Sequence, residues 1–295
     1  EGSRKVDLGY YKQLALAYDQ LGYTGALFAT GAHDVWVLAG ALLSYTERLR
    51  FLVAIHPGLV APTLLAKMAA TLQDFSRGRL LINVVSGDAK MLGAYGMTMP
   101  HDDRYAMADE YLQIWHRLFA GETVNFKGQY FNTDGAKLAL PVGDSIAAPP
   151  LWFGGSSDKA LDVAAKHVQT YLSWGETPEQ IGEKVKAVKA RAEHYGRELE
   201  YGIRLYVIVR DTDAQAWDAA ADLYARMDDT AIAANQRFVG KSDSVGQQRM
   251  TAMHGGHKPE NLRDLEIAPD LWAGIGLVRP GPGTAIVGSP DTVIR

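Results

Sequence analysis

Short, continuously apolar runs alternate along this chain with longer stretches of three- and four-residue apolar spacing, and that alternation restricts it to α/β folds built on parallel strands. The run Ala26-Leu27-Phe28-Ala29 has no polar face, as a strand buried on both sides requires. Leu8, Tyr11, Leu14, Ala15, Tyr18 and Leu21 mark one face of a preceding helix. The same reasoning predicts strands at 51–55, 80–85, 151–153, 170–173 and 203–209. Helices are predicted at 34–45, from Pro62 with Leu65, Met68, Ala69, Leu72 and Phe75 inward, at 105–118, and from about Ser156. Thr177-Pro178-Glu179-Gln180 is a capping box with proline at the first helical position, and it opens another helix. A doubly wound sheet and a (β/α)8 TIM barrel both satisfy this rhythm. No linker or composition break divides the 295 residues, so a single barrel domain, 1–295, is expected. Residues 123–133 read as an inserted strand pair, and 228–282 is too long for a plain connection; such excursions in barrels serve as lids or oligomer contacts.

Thirty Lys and Arg against 34 Asp and Glu leave a net charge of −4, so the basic excess needed to neutralise a phosphate backbone is missing and no nucleic-acid partner is expected. The absence of cysteine removes thiolate nucleophiles and Cys-ligated metals and suits the reducing cytoplasm. No run approaches 18 apolar residues, and Glu1-Gly2-Ser3-Arg4-Lys5 lacks a signal-peptide core, so neither membrane insertion nor export is expected. HExxH, GxSxG and GxGxxG are missing; Gly240-Lys241-Ser242 copies the end of a phosphate loop, but Asn235 stands where the motif needs glycine. No metal site is expected.

Chemistry concentrates at predicted strand ends. Leu151-Trp152-Phe153 runs into Gly154, Gly155, Ser156 and Ser157 at a helix N-terminus, where free N–H groups and hydroxyls suit a phosphate; the serines also suit plain helix capping. Arg204 and Tyr206 lie two residues apart in an apolar strand and so share a face. A guanidinium there must meet a carboxylate or await an anionic ligand. Trp174 closes its strand as a core residue or as a donor at a barrel mouth, and Asn83 and Ser86 end another strand. His33 and His56 follow strands as ordinary loop residues or as acid/base groups or ligands.

The blocks Arg50-Phe51-Leu52-Val53-Ala54-Ile55-His56-Pro57-Gly58, Gly78-Arg79-Leu80-Leu81-Ile82-Asn83-Val84-Val85, residues 151–158, Tyr171-Leu172-Ser173-Trp174-Gly175-Glu176, residues 202–210 and Glu266-Ile267-Ala268-Pro269-Asp270-Leu271-Trp272-Ala273-Gly274 together resemble the flavin-dependent alkanesulfonate monooxygenases of the bacterial-luciferase-like superfamily. The resemblance implies a luciferase-like (β/α)8 barrel, incomplete at both chain ends, that receives reduced FMN as a diffusible co-substrate from an NAD(P)H-dependent flavin reductase. With O2 it would split a carbon–sulfur bond of a small organosulfonate, releasing sulfite and an aldehyde; a homo-oligomer is also implied. On this pattern Gly154, Gly155, Ser156, Ser157 and Tyr105 hold the FMN phosphate, and Asn83 and Ser86 flank the flavin ring. Arg204 and Trp174 bind the sulfonate, Arg204, Tyr206 and Arg279 form the catalytic group, and Arg279 arrives with a mobile lid (228–282) that keeps water from the oxygen chemistry.

The chain departs from that pattern at Tyr206, where histidine is usual, at His56, where arginine is usual, in a shortened loop at 31–36, and at Pro280 and Pro282. Tyr206, His33 and His56 would line the pocket mouth with polar groups that suit a hydroxylated substrate such as the sugar sulfonate sulfoquinovose. The alternatives are a simple alkanesulfonate monooxygenase, a deazaflavin-dependent oxidoreductase of the same superfamily, and a non-catalytic flavin- or anion-binding protein.

Overall fold

A computed structural model describes residues 6–29 and 31–295. Residues 1–5, on which the expectation about an export signal fell, lie outside the described residues. The elements run α1 (Leu8–Gln20), β1 (Gly25–Phe28), α2 (Val35–Leu43), β2 (Arg50–Ile55), α3 (Pro62–Ser76), β3 (Leu80–Val84), α4 (Ala89–Ala94), α5 (His101–Phe119), β4 (Val124–Lys127), β5 (Asn132–Ala136) and β6 (Leu151–Gly154). They continue with α6 (Asp158–His167), β7 (Thr170–Trp174), α7 (Pro178–His194), β8 (Glu200–Arg204), β9 (Tyr206–Val209), α8 (Asp213–Ala225), α9 (Asp229–Val239), α10 (Val245–His254), β10 (Glu266–Ala268), β11 (Leu271–Trp272), β12 (Ala285–Gly288) and α11 (Pro290–Ile294). Among the described residues no helix is long and apolar enough to cross a membrane.

The chain divides into two compact units. The first takes in the chain up to Gly87, Asp102–Phe153 and His167–Gln169. In it β1, β2, β3 and β6 pair in parallel in that order, with Leu27 opposite Leu52, Val53 opposite Ile82 and Asn83 opposite Trp152. Phe51, Val53 and Ile82 of this sheet are fully buried, as are Tyr111, Leu112, Trp115 and Leu118 on the apolar face of α5. The pair β4–β5 is antiparallel, and Glu110 of α5 accepts the N–H groups of Gln129, Tyr130 and Phe131 in the turn between them. Asp34 caps α2 through the Trp36 and Val37 N–H groups, and α3 ends on Arg77 and Gly78 in the left-handed region. The expected inward face of α3 is corrected at one position: Phe75 is 70% exposed, and Gln73 is buried instead, because its amide is used at both ends, accepting from Leu80 N–H and donating to Ala147 O.

The second unit holds Asp88–His101, Gly154–Lys166 and Thr170–Arg295. Here β7 pairs with β8 in parallel, and β10, β11, β12 and β9 form a four-stranded sheet in that order, with β12 parallel to β9. The single strand predicted at 203–209 is therefore two. It breaks at Leu205, before which Trp174 is opposite Arg204 and after which Tyr206 is opposite Ala285, so the chain changes partners within one apolar run. The capping box at Thr177 is present in full, and Thr212 with Gln215 builds a second at α8.

One carboxylate ties the end of β7 to two helices. Glu176, buried, meets the Lys184 ammonium of α7, and its other oxygen takes both Nε (2.9 Å) and a terminal nitrogen (2.8 Å) of Arg249 on α10. Burial pulls the Lys184 ammonium below the usual lysine value, against the opposing pull of Glu176. Removing the carboxylate would leave Lys184 buried without its counter-charge, so Glu176→Ala is expected to cost about 3–5 kcal/mol in urea unfolding; a loss under about 1 kcal/mol would show that the cluster does not hold these elements.

Candidate active site

In the second unit, β7 and β8 end side by side with Trp174 and Arg204 in register. Arg204 is reachable by solvent, yet enough protein surrounds its guanidinium that desolvation pulls it below the usual arginine value; Tyr206 opposes that shift, and the positive charge of Arg279 adds to it. Neither Arg204 nor Arg279 has a carboxylate partner among the described residues, so the structural ion pair considered for Arg204 is absent. The positive charge of Arg279 therefore acts on Arg204 with no carboxylate among the described residues to offset it. The structure thus brings Trp174, Arg204, Tyr206 and Arg279 into one neighbourhood.

The 154–157 turn lies in the same unit. A Cβ at Gly154 would stand 2.9 Å from the Leu172 carbonyl oxygen, so the close approach of the two backbones requires glycine. Gly155 O accepts the Tyr171 hydroxyl at 2.6 Å, and burial pushes that phenol well above the usual tyrosine value. Ser157 caps α6 through Ala160 N–H at 3.3 Å, which is the structural role considered for it, whereas the Ser156 hydroxyl makes no hydrogen bond among the described residues. The Asp158 carboxylate would oppose an anion at this helix start, but it is paired with Arg191 at 2.9 Å. Open N–H groups and a free hydroxyl are compatible with a phosphate, while Arg191, shared between Asp158 and Asp162, offsets only part of the negative charge at this helix start.

The remaining predicted residues belong to the first unit. Ser86 donates to the Tyr105 hydroxyl at 3.1 Å, and buried Tyr105 packs edge-on against Phe153. Asn83 is half-buried on β3. His56 shares a hydrogen bond of 3.1 Å between Nδ1 and Val85 O, and burial lowers its imidazole below the usual value despite that bond. Exposed His33 packs edge-on against Tyr11 beside an apolar cavity of about 270 Å3 between α1, β1 and α2. Sequence reasoning missed Glu176, which stands in a Gly-Glu-Thr-Pro loop with no local mark of burial, and the amides Asn235 and Gln247, which are buried inside helices of the 228–282 segment that the sequence left without assigned elements. Ser242, the end of the false phosphate loop, donates to Asp88 at 2.8 Å.

These features define an α/β protein with Trp174 and Arg204 at adjoining strand ends and the charge of Arg279, from the turn before β12, acting on Arg204. A family model described as luciferase-like monooxygenase matches residues 1–295, and the chain belongs to that family. Solved structures resemble it over nearly its whole length. Riboflavin lyase (RcaE), solved with modified FMN and riboflavin, shares 20% identity over 97% of this chain and 76% of its own, with a TM-score of 0.75. The long-chain alkane monooxygenase LadA shares 20% over 97% and 75%, with a TM-score of 0.72. The EDTA monooxygenase EmoA from Chelativorans sp. BNC1 shares 18% over 97% and 78%, with a TM-score of 0.72. At such identities the likeness establishes the fold, and the luciferase-like (β/α)8 class expected from the sequence is the one found.

The His56 environment makes a pH prediction. Its folded value lies below the unfolded value of 6.5, so as pH falls through 6.5 the unfolded chain takes the proton first. The stability it contributes is complete above that pH and declines below it. In an NMR titration His56 should reach half-protonation below pH 6.5, and His56→Gln should flatten the acid side of the stability curve; a midpoint at or above 6.5 contradicts the assignment.

Proposed function

We propose that this chain is the oxygenase component of a two-component monooxygenase that takes reduced FMN from a separate NAD(P)H-dependent flavin reductase and desulfonates an organosulfonate to sulfite and an aldehyde. When bound, reduced FMN supplies two electrons to O2, of which one oxygen atom ends in the aldehyde and the other in water. The observation that carries this reading is Arg204, in register with Trp174 and under the charge of Arg279, with no carboxylate partner for either arginine among the described residues. A sulfonate offers three oxygens to two guanidinium forks and an indole N–H, and keeps its charge at any pH the protein tolerates. Tyr206 completes the catalytic group with a phenol beside Arg204.

The 154–157 turn supports the cofactor reading, with Gly154, Gly155, Ser156 and Ser157 proposed for the FMN phosphate. Without a dinucleotide fingerprint the flavin is held as a diffusible co-substrate. Residues 228–282 act as a lid, and Arg279 within it brings the second guanidinium to the sulfonate. Among substrates, a hydroxylated sulfonate such as sulfoquinovose suits the Tyr206 phenol beside Arg204, which an alkyl chain would leave without a partner.

Arg204→Ala tests the central residue. With no ion pair to break, its melting temperature should stay close to that of the parent, while kcat/KM falls about a hundredfold, the usual scale for a charged contact made to substrate. A large fall in melting temperature with activity retained would make Arg204 structural. Specificity constants for sulfoquinovose and octanesulfonate, measured side by side, should favour the sugar; the reverse order would mark a simple alkanesulfonate monooxygenase.

A further inference from the structure

Three helices of the second unit carry the Ser/Thr-x-x-Gln pattern of a capping box, and one does not close it. At α7 the Thr177 N–H donates to Gln180 Oε1 at 3.2 Å, and at α8 the Thr212 N–H donates to Gln215 Oε1 at 3.3 Å. At α10 the first half of the box is made, with the Gln247 N–H donating to Ser244 Oγ at 3.3 Å. The return bond is missing. The Ser244 N–H goes to Ser242 Oγ instead, and the buried Gln247 amide turns away, accepting the Gly281 N–H at 2.8 Å and donating to Thr251 Oγ1 at 3.4 Å.

Gly281 belongs to the turn that carries Arg279. The neck of that turn is closed by Gly276 N–H on Gly283 O at 2.9 Å, where a Cβ on Gly283 would come within 2.6 Å of Gly276 Cα. Its first limb is held from α9, where buried Asn235 donates to Gly276 O and Leu277 O at 3.1 Å each. Gly281, in the left-handed region at φ 86°, is the point on the far limb where a side chain from another helix takes hold. The same turn of α10 meets the rest of the candidate site: a Cβ on Gly246 would stand 3.4 Å from the Trp174 indole, and Arg249 is bound to Glu176.

We infer that Gln247 is a positioning residue for Arg279, its amide diverted from the local cap to fix the far limb of the Arg279 turn relative to Trp174. This rests on the anion-binding reading of Arg204 and Arg279 given above. A single neutral hydrogen bond of this kind shifts a local equilibrium by up to about tenfold. The effect should therefore be visible in affinity without unfolding the protein.

The test uses Gln247→Met, which keeps the volume and removes the acceptor, Gln247→Glu, which restores an acceptor, and Ser244→Ala, which weakens the cap alone. Amide exchange at Gly281 should speed up about tenfold in Gln247→Met and return towards the parent rate in Gln247→Glu. In Gln247→Met the Kd for inorganic sulfate by calorimetry, and KM for the organosulfonate, should rise about tenfold with a near-parental melting temperature. Ser244→Ala should lower the melting temperature and leave both affinities unchanged. Unchanged exchange at Gly281 in Gln247→Met would overturn the inference, as would faster exchange with unchanged sulfate affinity. If the parent protein binds sulfate but releases no sulfite from any sulfonate, the desulfonation reading fails while exchange and sulfate affinity still decide the role of Gln247. If the parent binds no sulfate, the anion site and this inference fall together.

Discussion

Glu176 is the interaction on which the candidate site depends. It is a buried carboxylate two residues beyond Trp174, and a bare carboxylate in that position would be the natural partner for a nearby guanidinium. It is already taken twice, by Lys184 and by a two-nitrogen contact from Arg249. Its charge is spent in holding β7, α7 and α10 together, and among the described residues Arg204 and Arg279 have no carboxylate partner.

Much of the fold was legible because parallel strands buried on both faces must be apolar throughout. The runs at 26–29, 51–55, 80–85, 151–153 and 170–173 all fall on observed strands. The break at Leu205 was invisible because 203–209 is apolar from end to end apart from Arg204, and only the change of partner from β7 to β12 divides it. Phe75 was assigned inward by spacing alone, whereas Gln73 takes the interior because all its hydrogen-bonding capacity that matters is met there. Helices α9 and α10 were hidden for the same reason in stronger form: Asn235 and Gln247 break the apolar stripe yet are buried, since their partners are backbone groups of the 276–283 turn some forty residues away.

At the site, Arg204 stood out because an arginine inside an apolar run demands an explanation, and the structure removes one of the two available. Trp174 and Tyr206 follow from it through register and proximity. Ser157 shows how a motif can serve locally: it caps α6, and the phosphate reading then leans on Ser156, on the open N–H groups and on Gly154, whose lack of a side chain is required by Leu172. His33 is the predicted residue least tied to the arginines, since its visible neighbours are Tyr11 and an apolar cavity.

Family membership and fold leave the substrate to the chain's own side chains, and the proposal of an oxygen-rich anion rests on two guanidinium groups with no carboxylate partner among the described residues. The most direct measurement supplies the purified protein with reduced FMN, O2 and sulfoquinovose and follows sulfite and the aldehyde together. The account predicts both products in equal amounts, dependent on reduced FMN and absent with NAD(P)H alone. Oxidation of the flavin to give only hydrogen peroxide, with every sulfonate returned intact, would contradict it.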